Sequence, residues 1–61
     1  MKTIRINHKA SNAVCTEVLQ PGEYAVSDFW FDGDDIWFEV NGKSFSIFVG
    51  FVDNIDDFIE E

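Results

Sequence analysis

The sequence predicts a mainly β domain with a short C-terminal helix, folded either as a small antiparallel SH3-like barrel or as a strongly twisted five-stranded sheet. Two observations predict this fold class: several short runs alternate apolar and polar residues, and Asn41-Gly42 separates two of these runs. Alternation is the pattern of half-buried strands, and Asn-Gly is the strongest short-range hairpin signal. We expect residues 1–61 to form a single domain, because no repeat or linker interrupts the pattern.

The N-terminal part of the chain predicts two strands. Lys2 to His8 alternates apolar and polar residues, and Ala13 to Leu19 is rich in Val and Thr. Between these strands, Ala10 to Asn12 is interpreted as a turn. Gln20 to Glu23 ends the second strand, because Pro presets the first central position of a turn and Gly accepts the positive φ of the next.

The middle of the chain predicts strands whose register follows from the turns. Tyr24 to Phe31 is expected to form a third strand, Asp32 to Asp35 a turn, and Ile36 to Val40 a fourth strand. A two-residue turn at Asn41-Gly42 places the following residues opposite each other: Val40 and Lys43, Phe38 and Phe45, Ile36 and Ile47. The predicted core on this face consists of Phe29, Phe31, Ile36, Phe38, Phe45 and Ile47.

Two tryptophans fall on the opposite face of the same strands. Trp30 and Trp37 share this face, and the alternation places Tyr24 and Val26 there as well. Barrel closure or the C-terminal helix could cover the face and make it a second small core. Left uncovered, the face is an interface, because aromatic residues are enriched at binding hot spots and large exposed apolar patches mark interaction sites.

The C-terminal segment predicts a short amphipathic helix. Gly50 marks a bend, and Asp53 or Asn54 is a suitable N-cap. The apolar residues that follow have the i, i+3, i+4 spacing of one helical face: Ile55, Phe58 and Ile59.

The charge distribution limits the classes of partner. The chain carries a net charge of −8, from four basic and twelve acidic residues. Phosphate contacts supply much of the affinity for nucleic acid, so direct binding to DNA or RNA is not expected, and anionic membranes are disfavoured for the same reason. The N-terminus has no apolar run typical of a signal peptide, and no stretch approaches the roughly 18 apolar residues of a membrane span. The expected location is the cytoplasm.

The residue types that carry chemistry form no recognisable motif. His8 and Cys15 are the only histidine and cysteine, and neither has a catalytic pattern around it, so we expect no enzyme and no catalytic residue. Cys15 is interpreted as a reduced strand thiol. The acidic turn from Asp32 to Asp35 lacks the ligand spacing of a calcium loop, so neither a metal nor a cofactor is expected.

Acidic and aromatic residues are the candidate binding residues. Carboxylates crowd the C-terminus, where like charges at i, i+3 and i+4 destabilise a helix. They either solubilise the chain or form an anionic surface for a basic site on another protein. The candidate partner-binding residues are Trp30, Trp37, Asp34, Asp35, Glu39, Asp53, Asp56, Asp57, Glu60 and Glu61.

In size, acidity and aromatic density, the chain resembles the small early proteins that bacteriophages use to inhibit host enzymes or defence complexes, including those that imitate the charge of DNA. The resemblance is one of general character and assigns no residue. It implies a protein–protein interaction domain, of the inhibitor type, that binds a basic site on a host enzyme or defence complex in the host cytoplasm. The alternative is a structural or adaptor subunit that forms a homo-oligomer through an exposed strand edge.

Overall fold

The computed structural model describes residues 2–12 and 17–59 of the chain. Strands dominate, joined by short turns, and two single turns of 3₁₀ helix, Val49–Phe51 and Ile55–Asp57, follow the last strand. The strands are β1 (Lys2–Ile6), β2 (Ala10–Asn12), β3 (Val18–Leu19), β4 (Gly22–Val26), β5 (Asp28–Asp32), β6 (Asp35–Val40) and β7 (Lys43–Phe48).

The strands form two antiparallel sheets. β1 pairs with β4, and the other five strands form a sheet in the order β3-β2-β7-β6-β5. The predicted SH3-like barrel is wrong, since the described strands do not close on themselves. The reason lies at Ser27, which separates β4 from β5 where a single strand from Tyr24 to Phe31 was expected. Ser27 stays bonded to β6 through its main-chain N–H and the Glu39 carbonyl (3.0 Å), while β4 turns away to pair with β1.

The hairpin of β6 and β7 confirms the predicted register. Val40 lies opposite Lys43, Phe38 opposite Phe45, and Ile36 opposite Ile47. Asn41 and Gly42 form the turn with φ of 53° and 80°, as a type I′ turn requires. The pairing of β5 with β6 is also as predicted, because a two-residue turn at Gly33-Asp34 keeps both phenylalanines of β5 on the face of Ile36.

The core lies between the five-stranded sheet, the β1–β4 pair and the C-terminal segment. Its buried apolar residues are Ile4, Ile6, Ala10, Val26, Ile36, Phe38, Val40, Phe45, Ile47, Val52 and Phe58. Four predicted core residues are among them, but Phe29 is half-buried and Phe31 is 43% exposed. Both belong to β5, which forms the edge of its sheet and is therefore covered less than a central strand. Val26 is buried, which corrects its predicted place beside the tryptophans.

The predicted turn at Ala10 to Asn12 is wrong, because these residues form β2. This strand occupies the edge of β7 that faces away from β6, where Ser11 lies opposite Ser46. The Asn12 side chain turns inward and its Nδ2 donates to the carbonyl of Ser44 at 3.1 Å. Of the second predicted strand, only Val18 and Leu19 are seen as β3, since residues 13–16, including Cys15, lie outside the described residues.

The predicted C-terminal helix is also wrong and is replaced by one 3₁₀ turn. A helix of this length is marginal in water, and its carboxylates would repel one another. Asn54 precedes the turn but its side chain makes no cap; instead its Oδ1 accepts from the main-chain N–H of Arg5 at 2.9 Å. Phe58 is buried, and its ring packs edge-to-face on Phe29 at 4.9 Å between centroids.

Candidate functional site

The two tryptophans lie side by side on the face of the five-stranded sheet that points away from the core. Trp30 lies directly opposite Trp37 in the β5–β6 ladder. Their rings are stacked, with centroids 6.1 Å apart and an angle of 4° between the planes. Trp30 is 43% exposed and Trp37 is half-buried. We call Trp30 and Trp37 the tryptophan pair and this side of the sheet the outer face.

The C-terminal segment packs on the other side of the sheet. Phe58 belongs to the core cluster and contacts Phe29, which alternation places on the face opposite Trp30. The expectation that a C-terminal helix covers the tryptophans is therefore wrong for the described part of this segment. The tryptophan pair is left as a partly exposed aromatic surface.

Two pairs of carboxylates flank the tryptophan pair. Asp28 lies opposite Glu39 on one side of it, and Asp32 lies opposite Asp35 on the other. Because side chains alternate with a period of two, all four share the outer face with Trp30. Like charges directly opposite each other destabilise an antiparallel ladder. We call Asp28, Asp32, Asp35 and Glu39 the carboxylate frame.

The carboxylate frame has no cationic partner among the described residues. The ion pairs there are Arg5 with Glu23 at 3.1 Å and Lys43 with Glu17 at 2.7 Å, and neither involves the frame.

Two carboxylates of the frame instead accept hydrogen bonds from neutral donors, one in β5 and one in the residue before it. One oxygen of Asp28 accepts from the main-chain N–H of Phe29 at 2.9 Å, and one of Glu39 accepts from the hydroxyl of Ser27 at 3.1 Å. These bonds orient two carboxylates but leave the charge of the frame unneutralised.

Beyond the tryptophan pair, the outer face continues as a row of small residues across the sheet. Trp37 lies opposite Ser46 of β7, and Ser46 lies opposite Ser11 of β2. Ser11 lies opposite Val18 of β3, whose side chain is 54% exposed. Between the tryptophan pair and Val18, this row therefore carries only the small side chains of Ser46 and Ser11.

The acidic residues of the C-terminal segment occupy a different region. Asp53 accepts from the side-chain amide of Asn7 at 2.6 Å, and Asp57 accepts from that of Asn54 at 3.1 Å. The ammonium of Lys2 donates to the main-chain carbonyl of Asp57 at 2.6 Å. The carboxylate of Asp53 thus attaches this segment to Asn7, just after β1, and the main-chain carbonyl of Asp57 attaches it to the first residue of β1. Asp56 is exposed.

The remaining predicted site residues lie either at the carboxylate frame and its adjacent turn or outside the described residues. Asp35 and Glu39 belong to the carboxylate frame, and Asp34 lies in the adjacent turn, where its carbonyl accepts from the N–H of Val49 at 2.9 Å. Glu60 and Glu61 lie outside the described residues. Sequence reasoning omitted Asp28 and Asp32 from the binding residues, although extending the hairpin register through the Asp32 to Asp35 turn would have placed them beside Trp30.

The side chain of His8 contacts neighbouring residues of the fold. Its ring stacks on Phe51 with centroids 4.4 Å apart, and its Nδ1 lies 3.1 Å from the carbonyl of Lys9. Within residues 2–12 and 17–59, no group of three His, Cys, Asp or Glu side chains is placed to hold a metal ion. Cys15, which the sequence predicts to be a reduced strand thiol, lies outside these ranges.

Comparison of the chain with protein-family models, curated proteins and solved structures gave no match. In the part of the chain that the structure describes, no helix has the length and apolar character needed to cross a membrane.

Proposed function

We propose that this chain is an acidic protein–protein interaction domain that binds a basic surface of another protein through its outer face. The observation that carries the proposal is the placement of the partly exposed tryptophan pair between two pairs of opposed carboxylates. An aromatic centre with a charged rim is the arrangement of a binding hot spot, in which the rim excludes water from the centre.

Folding alone does not favour this arrangement. Each opposed carboxylate pair costs stability, and threonine or lysine at either position would remove the repulsion. A partly exposed Trp30 also leaves a large apolar surface in water. The two features share one small area of sheet, which is the combination expected if the surface is retained for a partner.

The chemistry of the outer face specifies the partner's side chains. An arginine guanidinium stacks on an indole through a cation–π contact and forms paired hydrogen bonds with a carboxylate. The tryptophan pair and the carboxylate frame offer both groups to the same side chain. The proposed partner surface is therefore rich in arginine or lysine beside apolar residues.

The net charge of −8 supports a narrower form of the proposal. Proteins that bind nucleic acid present dense basic surfaces, and an acidic domain can occupy such a surface in place of the phosphates. In this form the chain is an inhibitor, of the type that bacteriophages direct against host enzymes or defence complexes, and acts in the cytoplasm of the host.

Partner capture with matched variants tests the proposal. The intact protein, a Trp30→Ser variant and a His8→Ser variant serve as baits in bacterial lysate, with bound proteins quantified at low and high salt. His8 is the control because it is an exposed ring residue that follows β1 and stacks on Phe51, away from the outer face. We expect a basic partner that the parent and the His8 variant retain at low salt and the Trp30 variant loses. Equal retention by the Trp30 variant contradicts the proposal, as does the absence of any salt-sensitive partner.

Self-association is the second candidate function, because β5 is an open edge strand and edge groups can pair with a second copy, although the carboxylates at the ends of β5 oppose such pairing. Sedimentation of the purified protein at low and high concentration tests it. A homodimer in which Trp30 becomes shielded from quenchers would support the adaptor function. A monomer at every concentration would contradict it.

A further inference from the structure

β5 is an edge strand whose outer main-chain groups face away from the sheet. It pairs with β6 on one side, and no backbone hydrogen bond from another described segment reaches its other side. The two-residue turn at Gly33-Asp34 makes Asp32 and Asp35 a hydrogen-bonded pair. From Asp32 backwards along β5, the main-chain N–H and C=O groups of successive residues therefore point alternately to β6 and away from the sheet. Those of Trp30 point to β6, and those of Phe29 and Phe31 point away from the sheet. The carboxylate of Asp28 caps the N–H of Phe29 at 2.9 Å. A strand added at this edge would replace the carboxylate at this N–H and release it for a cation.

The charges of β5 oppose its pairing with a second copy. The longest antiparallel overlap of two β5 strands centres on Trp30, and it brings Asp28 of each copy opposite Asp32 of the other. Two like-charge contacts then form across the new ladder and destabilise it. Charged residues at the ends of an edge strand are a common means of preventing such self-pairing.

The same charges complement a strand of opposite character. This inference rests on the proposed function and specifies how the partner docks. We infer that a basic segment of the partner adds to β5 as an antiparallel strand, with the pattern cation–apolar–any–apolar–cation. Its two cations lie opposite Asp28 and Asp32 on the outer face, and its central residue lies beside Trp30.

The apolar positions of that pattern have a matching surface on the other face of β5. The incoming apolar side chains lie opposite Phe29 and Phe31, whose rings point to that side. A shallow, mainly apolar groove runs past Phe31 and is lined further by Gly33, Val49, Ile55 and Ile59. A smaller groove lies beside Phe29 and is lined further by Lys2, Val26, Ser27 and Asp28. The groove at Phe31 is positioned for one apolar side chain of the added strand, and the ring of Phe29 offers the contact for the other.

Two peptides of identical composition test the pattern. Both are acetylated, amidated and flanked by Gly-Ser; one contains Arg-Val-Thr-Val-Arg and the other Val-Arg-Thr-Arg-Val. The first places its cations on the outer face, and the second places them against the phenylalanines. Titration followed by backbone amide shifts of the intact protein should show the first peptide binding at least about tenfold more tightly. The largest shifts should fall on β5. Equal binding, or shifts centred elsewhere, overturns the inference.

A pair of variants separates main-chain pairing from side-chain contact. Phe31→Ala and Phe31→Pro both remove the ring, but only proline removes the outward N–H, and an edge strand tolerates proline there. We expect the alanine variant to bind the first peptide more weakly than the parent, because the ring is lost, and the proline variant to lose at least about tenfold more affinity than the alanine variant. Equal affinities contradict strand addition. Circular dichroism of both variants verifies the fold.

Reversing the charges of β5 gives a result that misfolding cannot imitate. A variant with Asp28→Lys and Asp32→Lys should reject the first peptide and bind the same peptide with Glu in place of both Arg residues. Failure to switch overturns the inference. If the captured partner still depends on Trp30 while the peptides fail, the proposed function stands and this docking mode is wrong. If the parent protein dimerises through β5 in the absence of peptide, a second copy is the occupant and the inference is wrong.

Discussion

Asn54 joins the C-terminal segment to β1 through a single side chain. Its Oδ1 accepts from the main-chain N–H of Arg5, and its Nδ2 donates to the carbonyl of Thr3 at 2.8 Å and to a carboxylate oxygen of Asp57 at 3.1 Å. The amide therefore pairs with an edge of β1 as the backbone of a neighbouring strand would. The sequence predicted an N-cap here, because Asn is a common cap and its long-range partners leave no local pattern.

Replacing Asn54 with Asp tests this role at almost constant shape. The acceptor for Arg5 is kept, but a carboxylate oxygen replaces the donor and faces the carbonyl of Thr3 and the carboxylate of Asp57. We expect a loss of about 1–3 kcal/mol in the free energy of unfolding, because two acceptors lose their donor and meet a new charge. Urea unfolding measures it. Asp53→Asn is the control, since it keeps an oxygen for Asn7; an equal loss in both variants would contradict the assignment.

Gly42 allows a test of the type I′ turn between β6 and β7. Its φ of 80° lies in the left-handed region, and a β-carbon there would touch nothing within 4 Å. Any cost of a side chain therefore comes from backbone strain. Gly42→Val should destabilise the protein by more than the roughly 1–2 kcal/mol of an ordinary L-residue, because β-branched residues are rare outliers at positive φ. Thermal melting of the Gly42→Val variant is compared with that of a Gly42→Asn variant. A Val variant whose melting temperature equals that of the parent would refute the type I′ turn.

At the scale of elements, Phe38 is the centre of the five-stranded sheet. It is fully buried between Phe29 on β5 and Phe45 on β7, and its ring lies 6.1 Å from that of Phe45. Phe38→Ala should cost about 3–5 kcal/mol, enough to unfold a domain of this size. Phe48→Ala is the matched control, because Phe48 is 47% exposed. Circular dichroism with urea unfolding compares them, and similar stabilities would mean that the core is misplaced.

The elements that sequence reasoning predicted correctly are those with local signals. At Asn41-Gly42, the positive φ values that this dipeptide accepts fix the turn and hence the register of β6 and β7. The short turn before Asp35 carries the alternation of faces on to β5, and the pairing of Trp30 with Trp37 follows from it. The break at Ser27 has no such signal, because the alternation continues through it. The pairing of β2 with β7 is equally non-local, and a tripeptide such as Ala10 to Asn12 carries too little pattern to distinguish a strand from a turn.

The candidate site was predicted in part for the same reason. The tryptophan pair followed from the register of the hairpin, and so did the positions of Asp35 and Glu39. The roles of Asp53 and Asp57 did not, because they depend on where the C-terminal segment meets β1. Phe58 illustrates the difficulty: its spacing suggested a helix face, whereas its burial comes from contact with Phe29 in a single turn.

For the whole molecule, the net charge of −8 predicts that repulsion between carboxylates outweighs attraction between opposite charges. The ion pairs of the described residues are exposed ones that contribute little. Raising NaCl from about 20 mM to about 200 mM screens the two opposed pairs of the carboxylate frame, each costing about 0.2–1 kcal/mol. We therefore expect the melting temperature to rise by several degrees, since about 1 kcal/mol corresponds to about 4–8 °C at this size. A fall in melting temperature would show that attractive pairs dominate.

The proposed function requires that the outer face be retained for binding at the expense of stability. The most direct test is the affinity of the captured partner for the parent and for an Asp32→Asn, Asp35→Asn double variant, measured by calorimetric titration at low and at physiological salt. Asn preserves the turn chemistry of the aspartates while removing one opposed carboxylate pair. We expect the parent's affinity to fall steeply with salt, and the double variant to bind at least about tenfold more weakly at low salt although it unfolds no more easily than the parent. Equal affinities with little dependence on salt would contradict the proposed function and would leave the carboxylate frame with no part in binding.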